Sequence, residues 1–262
     1  MEKQQSKIQK EEYKPIKISQ ILLLQDLIKK DQNIQIIKDS SREENYIENY
    51  KNLNDIKISQ NLDSIKYKNC SLEQQLQTDK NEPHQSNIFF GLCHCPGKQL
   101  KMGRDGKPHN RNIIEDITYF KNLNQIQVII CLLNKYELRS IGVDYNKFQG
   151  ICEKQGVQFL ELPIIEMGEP EISFQEFYDF IDKNIIQNIK NKKNVIAHCR
   201  GGIGRAGLLA ACTLIQCNIS QNATQAINMV RKIRDKRCVE SRKQEDYVKK
   251  YQLFLKGLEG LN

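Results

Sequence analysis

Val195-Ile196-Ala197-His198-Cys199-Arg200-Gly201-Gly202-Ile203-Gly204-Arg205-Ala206-Gly207-Leu208-Leu209-Ala210-Ala211 is the stretch whose reading decides the fold. A short apolar, partly β-branched run ends on a cysteine, a glycine-rich loop follows, and an arginine opens an alanine- and leucine-rich helical pattern. In a strand–loop–helix unit of this kind, successive backbone N–H groups turn inward around an anion, and the helix N-terminus adds a favourable dipole. The glycines at 201, 202 and 204 allow backbone angles and close approach that a β-carbon would hinder. Arg205 is suited to hold two phosphate oxygens through paired, charge-assisted hydrogen bonds. Cys199 sits in the same positive field, which favours the nucleophilic thiolate. An isolated buried cysteine is common and inert, but that reading leaves the arginine six positions on, the glycines and the strand-to-helix context unexplained. The residues from Arg200 to Arg205 (Arg200, Gly201, Gly202, Ile203, Gly204, Arg205) are therefore the expected phosphate-binding set, with Cys199 as nucleophile and His198 as a residue that orients the loop by hydrogen bonding.

Working outward, short apolar runs at 88–93, 127–133, 157–162 and 194–198 read as buried strands. Amphipathic helical stretches fall at 113–122, 145–155, 173–189, 206–217, 223–233 and 244–256. This alternation predicts an α/β sandwich whose central, largely parallel sheet is flanked by helices and whose ligand site lies at the carboxyl ends of the strands. Residues 86–258 form the expected catalytic domain. Residues 1–85 are crowded with Lys, Gln, Asn and Ile, contain no glycine, and read as a polar, partly disordered extension. Within it, Ile18, Ile21, Leu22, Leu23, Leu24, Leu27 and Ile28 recur at helical spacing, which predicts a helix over 18–30.

The chain has 262 residues, a formal charge of +8 and nine cysteines without a repeating spacing. The charge points mildly toward anionic partners and equally toward a lysine-rich solvated surface. No apolar run approaches the roughly 20 residues a membrane helix needs, and no signal-peptide pattern opens the chain. The cysteine usage fits free thiols in a reducing compartment, so the cytoplasm or nucleus is expected. Cys93-His94-Cys95 does not complete a spaced tetrahedral ligand set, and neither metal nor cofactor is expected. Lys98, Lys101, Arg104 and Lys107, with Gly103 and Gly106, form a basic loop that either binds substrate phosphate or is a solvated insertion.

The loop from His198 to Arg205 resembles the Cys-x5-Arg signature of protein-tyrosine phosphatases, in detail that of the kinase-associated phosphatase (cyclin-dependent kinase inhibitor 3) branch of dual-specificity phosphatases. Gly91-Leu92-Cys93-x-x-Pro96-Gly97, Arg111-Asn112, Glu137-Leu138 and Leu162-Pro163-Ile164 are similar to segments of that branch. So are Ala210-Ala211-Cys212, Gln225-Ala226-Ile227 and Arg231-x-x-Arg234, over about 170 residues in all. Pro15-Ile16-Lys17-Ile18-Ser19 also resembles the branch's opening strand, which would make residues 30–85 an insertion. The resemblance implies a phosphatase that forms a phosphocysteine and acts on phosphotyrosine and phosphoserine or phosphothreonine in proteins. It implies a protein kinase as partner, with no membrane insertion and no nucleic acid.

Two positions depart from the family. Its aspartate general acid has Glu166 at the matching place in Leu162-Pro163-Ile164-Ile165-Glu166-Met167-Gly168-Glu169-Pro170-Glu171; Glu169 and Glu171 are the competitors, and a solvated surface role is the bland alternative. The Ser or Thr that the family carries after the arginine is Ala206, which has no hydroxyl to stabilise the departing sulfur. Gln244 matches a family glutamine that helps position water, and reads equally well as a polar surface residue. The departures keep two alternatives open: a phosphate-binding pseudophosphatase, and a phosphoinositide or RNA 5′-phosphatase, for which Arg200 meets half of the basic loop pattern.

Overall fold

In the computed structural model, residues 13–30, 88–104 and 106–259 are described. A five-stranded sheet runs in the order β1 (Ser19–Leu23), β2 (Phe89–His94), β7 (Asn194–Cys199), β5 (Ile126–Cys131) and β6 (Gln158–Glu161). The last four strands are parallel, and β1 lies antiparallel against β2 at one edge. A small hairpin, β3 (Gln99–Leu100) with β4 (His109–Asn110), stands apart from this sheet. The helices are α1 (Ile113–Asn122), α2 (Lys135–Ser140), α3 (Tyr145–Lys154), α4 (Phe174–Ile181), α5 (Gln187–Lys190), α6 (Gly204–Gln216), α7 (Ala223–Ile233) and α8 (Arg242–Glu259). A π-helical turn at Asp182–Ile186 joins α4 to α5. The architecture is the mixed α/β sandwich that the alternation of runs predicts.

The strand β7 is buried along its whole length, as a continuous apolar run between two parallel neighbours should be. Phe90, Leu92, Ile129, Ile130, Val195 and Ile196 have no exposed surface, and each such side chain contributes about 1.5–3 kcal/mol. At the start of the sheet, Asn194 ties strands together: its Oδ1 accepts from the Phe89 amide at 3.0 Å and its Nδ2 donates to the Asn124 carbonyl at 3.1 Å. On β7 and β2 packs α6, itself covered by α7 and α8; α1 packs on β5 and α3 on β6. Side-chain caps account for where several helices begin, with Asn112, Asn134, Asp144, Ser173 and Asn222 each accepting from a first-turn amide.

The expectation for residues 18–30 needs correcting. Ser19–Leu23 is a strand paired with β2, and helix begins only at residue 24. An apolar run with Ile21 and Leu22 both buried satisfies either periodicity, and the open edge of β2 decided for the strand by taking its hydrogen bonds. Residues 13–24 thus join the sheet-bearing unit rather than an extension. Arg111 anchors their start: with Tyr13 it binds the buried Asp116, and it donates to the Lys14 carbonyl at 2.9 Å. The expectation of disorder elsewhere in 1–85 lies outside the described residues.

Candidate active site

The β7 strand delivers Cys199 to the floor of a cleft of about 360 Å³ at the carboxyl ends of the strands. The chain then turns through Arg200–Ile203 into α6. Ile203 stands at the N-cap position and offers no side-chain acceptor, so the first-turn amides of α6 are left for an anion. The Gly202 amide donates to Cys199 Sγ at 3.2 Å, which holds the sulfur beneath the loop. Gly202 has φ +68°, and a β-carbon there would lie 2.2 Å from the Cys93 carbonyl oxygen; no other residue fits. At Gly204 a β-carbon would crowd Glu240 at 2.9 Å and Gln244 at 3.2 Å. Gly201 is different, since a β-carbon would meet only Ile203 at an ordinary 3.7 Å.

The inward aim of the amides has a cause on the other side of the loop. Arg234, from the end of α7, donates through Nε to the Gly202 carbonyl at 3.0 Å and through Nη2 to the Gly201 carbonyl at 3.2 Å. With the carbonyls drawn outward, the peptide planes turn their N–H groups toward the cleft. Sequence reasoning saw Arg234 only as half of a family pair; its signal was a cation closing a helix that packs beside the loop.

Arg205 is buried, with its side chain 4% exposed. Its Nη1 donates to Glu137 Oε1 at 2.6 Å and to the Ile164 carbonyl at 3.0 Å. The second oxygen of Glu137 accepts from the Asn134 amide at 3.1 Å in the capping box of α2. One carboxylate therefore caps a helix and braces the guanidinium, leaving the remaining donors of Arg205 to face the cleft with the loop. Sequence reasoning named Glu137 only in the family-like pair Glu137-Leu138 and gave it no place in the site, 68 residues from Arg205.

Of the sequence-predicted residues, the structure brings Cys199, Arg200, Gly201, Ile203, Gly204, Arg205, Glu166 and Gln244 to one cleft. Glu166 reaches it from the loop after β6, whereas Glu169 and Glu171 are not among the lining residues. Gln244 is fully buried on the first turn of α8, which removes the surface reading. Its Oε1 accepts from the Glu240 amide at 2.9 Å, and among the described residues its Nε2 has no hydrogen-bond partner. Ala206 is buried at the start of α6 and brings no hydroxyl to the sulfur.

His198 is fully buried on β7, with its ring stacked on Phe148 at 5.5 Å. Burial pushes its pKa down to about 3, against an opposing backbone hydrogen bond at Cys199. Burial likewise pushes the neighbouring thiols Cys93 and Cys131 up to about 12, so they stay neutral.

Comparison with known proteins follows the same outline. The family profile described as "Polymorphic toxin system, DSP-PTPase phosphatase" matches residues 102–218, from the hairpin through α6. The cyclin-dependent kinase inhibitor 3 of Rattus norvegicus is 28% identical over 163 residues, covering 62% of this chain and 71% of its own. The Homo sapiens protein of that name is 29% identical over 164 residues, with the same shares. Among solved structures, kinase associated phosphatase carrying serine for its catalytic site cysteine superposes with a TM-score of 0.56 at 26% identity, covering 64% of this chain and 87% of that one. These comparisons make the chain similar to the protein-tyrosine and dual-specificity phosphatase superfamily. Within that superfamily it resembles kinase-associated phosphatase. PTPMT1, solved in complex with PI(5)P, shares the phosphatase fold at a TM-score of 0.51 and 18% identity, over 65% of this chain and 94% of that one. Among the described residues no helix of this chain is long and apolar enough to cross a membrane.

Proposed function

We propose that the chain hydrolyses phosphomonoesters on proteins, at phosphotyrosine and at phosphoserine or phosphothreonine, through a phosphocysteine. The observation that carries this reading is Cys199 Sγ held 3.2 Å from the Gly202 amide at the floor of the cleft, beside the braced Arg205 and the uncapped start of α6. The amides from Arg200 to Gly204 and the guanidinium of Arg205 take the phosphate oxygens and stabilise the charge that gathers on them in the transition state. The Cys199 thiolate attacks phosphorus in line; the phosphorus–oxygen bond to the substrate breaks, and the leaving oxygen takes a proton from Glu166. Water positioned by Gln244 Nε2 then attacks the phosphocysteine and gives a proton to the Glu166 carboxylate, and the phosphorus–sulfur bond breaks to return the thiolate. The partner is a phosphorylated protein, by analogy with the named relatives a protein kinase, in the cytoplasm or nucleus; a cell-cycle setting would follow from the same analogy.

Cys199→Ser tests the reading. Turnover of phosphopeptides and of p-nitrophenyl phosphate should vanish while phosphate still binds, because Arg205 and the loop amides remain. Retention of more than a trace of turnover overturns the phosphocysteine route. A second reading, hydrolysis of phosphoinositides, is favoured by one observation: Lys98, Arg104, Arg200 and Arg237 line the cleft in addition to Arg205. Turnover of phosphoinositide vesicles above that of any phosphopeptide would select it.

A further inference from the structure

The basic hairpin loop is part of the cleft. Arg104, at its tip, reaches across the mouth to Glu166, with Nη1 at 2.9 Å from Oε1, and both side chains line the same cleft as Cys199. The loop beneath Arg104 is closed by hydrogen bonds from the Gly103 amide to the Lys107 carbonyl at 2.7 Å and from the Gly106 amide to the Gly103 carbonyl at 3.0 Å. Its base is held where the Gln99 amide donates to the Ile141 carbonyl at 2.8 Å. Arg104 therefore changes partner by side-chain rotation, without rebuilding the hairpin.

Two other guanidinium groups of the cleft are committed to the fold, Arg205 on Glu137 and Arg234 on the loop carbonyls. Arg237 pairs at the surface with Asp235, and Arg200, on the phosphate loop itself, also lines the cleft. The Arg104–Glu166 pair is more open, with 62% and 36% of the two side chains exposed, and an ion pair this wet is held weakly. It nevertheless occupies an oxygen of the carboxylate to which the acid role is given. An acid must turn toward the leaving oxygen above Cys199, and a carboxylate engaged by a guanidinium at the rim does not present that oxygen.

We infer that Arg104 is a specificity-determining residue that couples Glu166 to a second anion on the substrate, and that the preferred substrate is a polypeptide segment with a second phosphate close to the scissile one. A phosphate dianion offers the guanidinium more charge and a bidentate partner, and draws Arg104 off Glu166. Glu166 is then released to the leaving oxygen. The occupant is a polypeptide because the acid loop exposes Met167, which lines the cleft, with Ile165 two residues before it, and the hairpin that carries Arg104 exposes Met102, so that apolar side chains flanking a scissile residue have partners. This inference rests on Glu166 as the acid.

The test uses two phosphopeptides that differ only in a second phosphoserine or a serine beside the scissile residue, scanned on both sides. Steady-state rates are measured on the full chain, on Arg104→Gln and on Glu166→Gln. Wild type should show kcat about ten-fold or more higher on the doubly phosphorylated peptide, a part of the acid's full effect. Arg104→Gln should bring the two kcat values together by raising the slower one, and Glu166→Gln should be slow and equal on both. Equal kcat in wild type with a slow Glu166→Gln overturns the coupling alone. So does a preference confined to KM, or one that survives Arg104→Gln. A Glu166→Gln as fast as wild type overturns the acid role and the coupling with it. A kcat gain on a doubly phosphorylated inositol headgroup but not on the peptides overturns the polypeptide assignment.

Discussion

The two loops that meet over Cys199 are built on opposite principles. The phosphate loop is contiguous in sequence and buried at its key points: Gly202 fits against the Cys93 carbonyl, Arg234 holds two carbonyls from behind, and Arg205 is 4% exposed. The acid loop after β6 closes on one isolated bridge between Ile164 and Pro170, and exposes Ile165 at 55% and Met167 at 42%. Among its anchors, the Ile164 amide donates to the Leu132 carbonyl at 3.2 Å, Ser241 Oγ donates to the Met167 carbonyl at 2.7 Å, Arg205 donates to Ile164, and Arg104 pairs with Glu166. On the proposed mechanism, phosphate binding is preorganised, whereas proton delivery would depend on a partly exposed carboxylate with a competing partner. Anion affinity would then be set by the first region, and the choice among leaving groups by the second.

The largest test of this contrast lies within the rigid loop. Gly202→Ala must push a β-carbon into the Cys93 carbonyl from a positive φ, so kcat/KM on p-nitrophenyl phosphate should fall by about 10³ or more, with inorganic phosphate losing its inhibition. Gly201→Ala, two residues from the sulfur, has room and should stay within about ten-fold. Thermal melting of both variants separates loop damage from unfolding. Similar losses in the two would show that the loop is not held by the fit at Gly202.

The next concerns the exposed loop. Glu166→Gln should slow phosphopeptide hydrolysis by about 10² and spare p-nitrophenyl phosphate, whose leaving group needs no proton. Glu169→Gln should have little effect, since it lies outside the cleft lining. Equal loss on both substrate types would place the defect in binding and erase the division between the two regions.

The smallest effect falls where the regions cooperate. With Ala206 after Arg205, the sulfur lacks a hydroxyl to receive it as it leaves, and one hydrogen bond to a charged group is worth about 1.5–3 kcal/mol, or about ten- to a hundred-fold in rate. Rapid-quench kinetics should show a burst of product and slow breakdown of the phosphoenzyme. Ala206→Ser should shorten only the slow phase. A missing burst, with steady-state rate unaltered by Ala206→Ser, would mean that the loop amides already stabilise the sulfur.

Much of this was legible in the chain itself, and the reason is locality. The strand, the glycine turn and the helix around Cys199 occupy consecutive residues, and each has its own pattern: an apolar β-branched run, a glycine that alone fits φ +68°, an alanine- and leucine-rich run buried on all sides. The helices Ile113–Asn122 and Ala223–Ile233 begin where Asn112 and Asn222 cap them, so their starts are written in side chains next door. What lay beyond the sequence was whatever depends on a distant partner. Residues 19–23 carried both periodicities, and the edge of β2 chose strand. The stacking of the His198 ring on Phe148 joins residues 50 apart, which no local pattern announces. Glu137 lies 68 residues from Arg205 and Arg104 lies 62 from Glu166 along the chain, so neither pair leaves a local trace. Hydrophobic pattern and turn chemistry determine which elements form, because they act between near neighbours; ion pairs across the cleft exist only once packing has brought their carriers together.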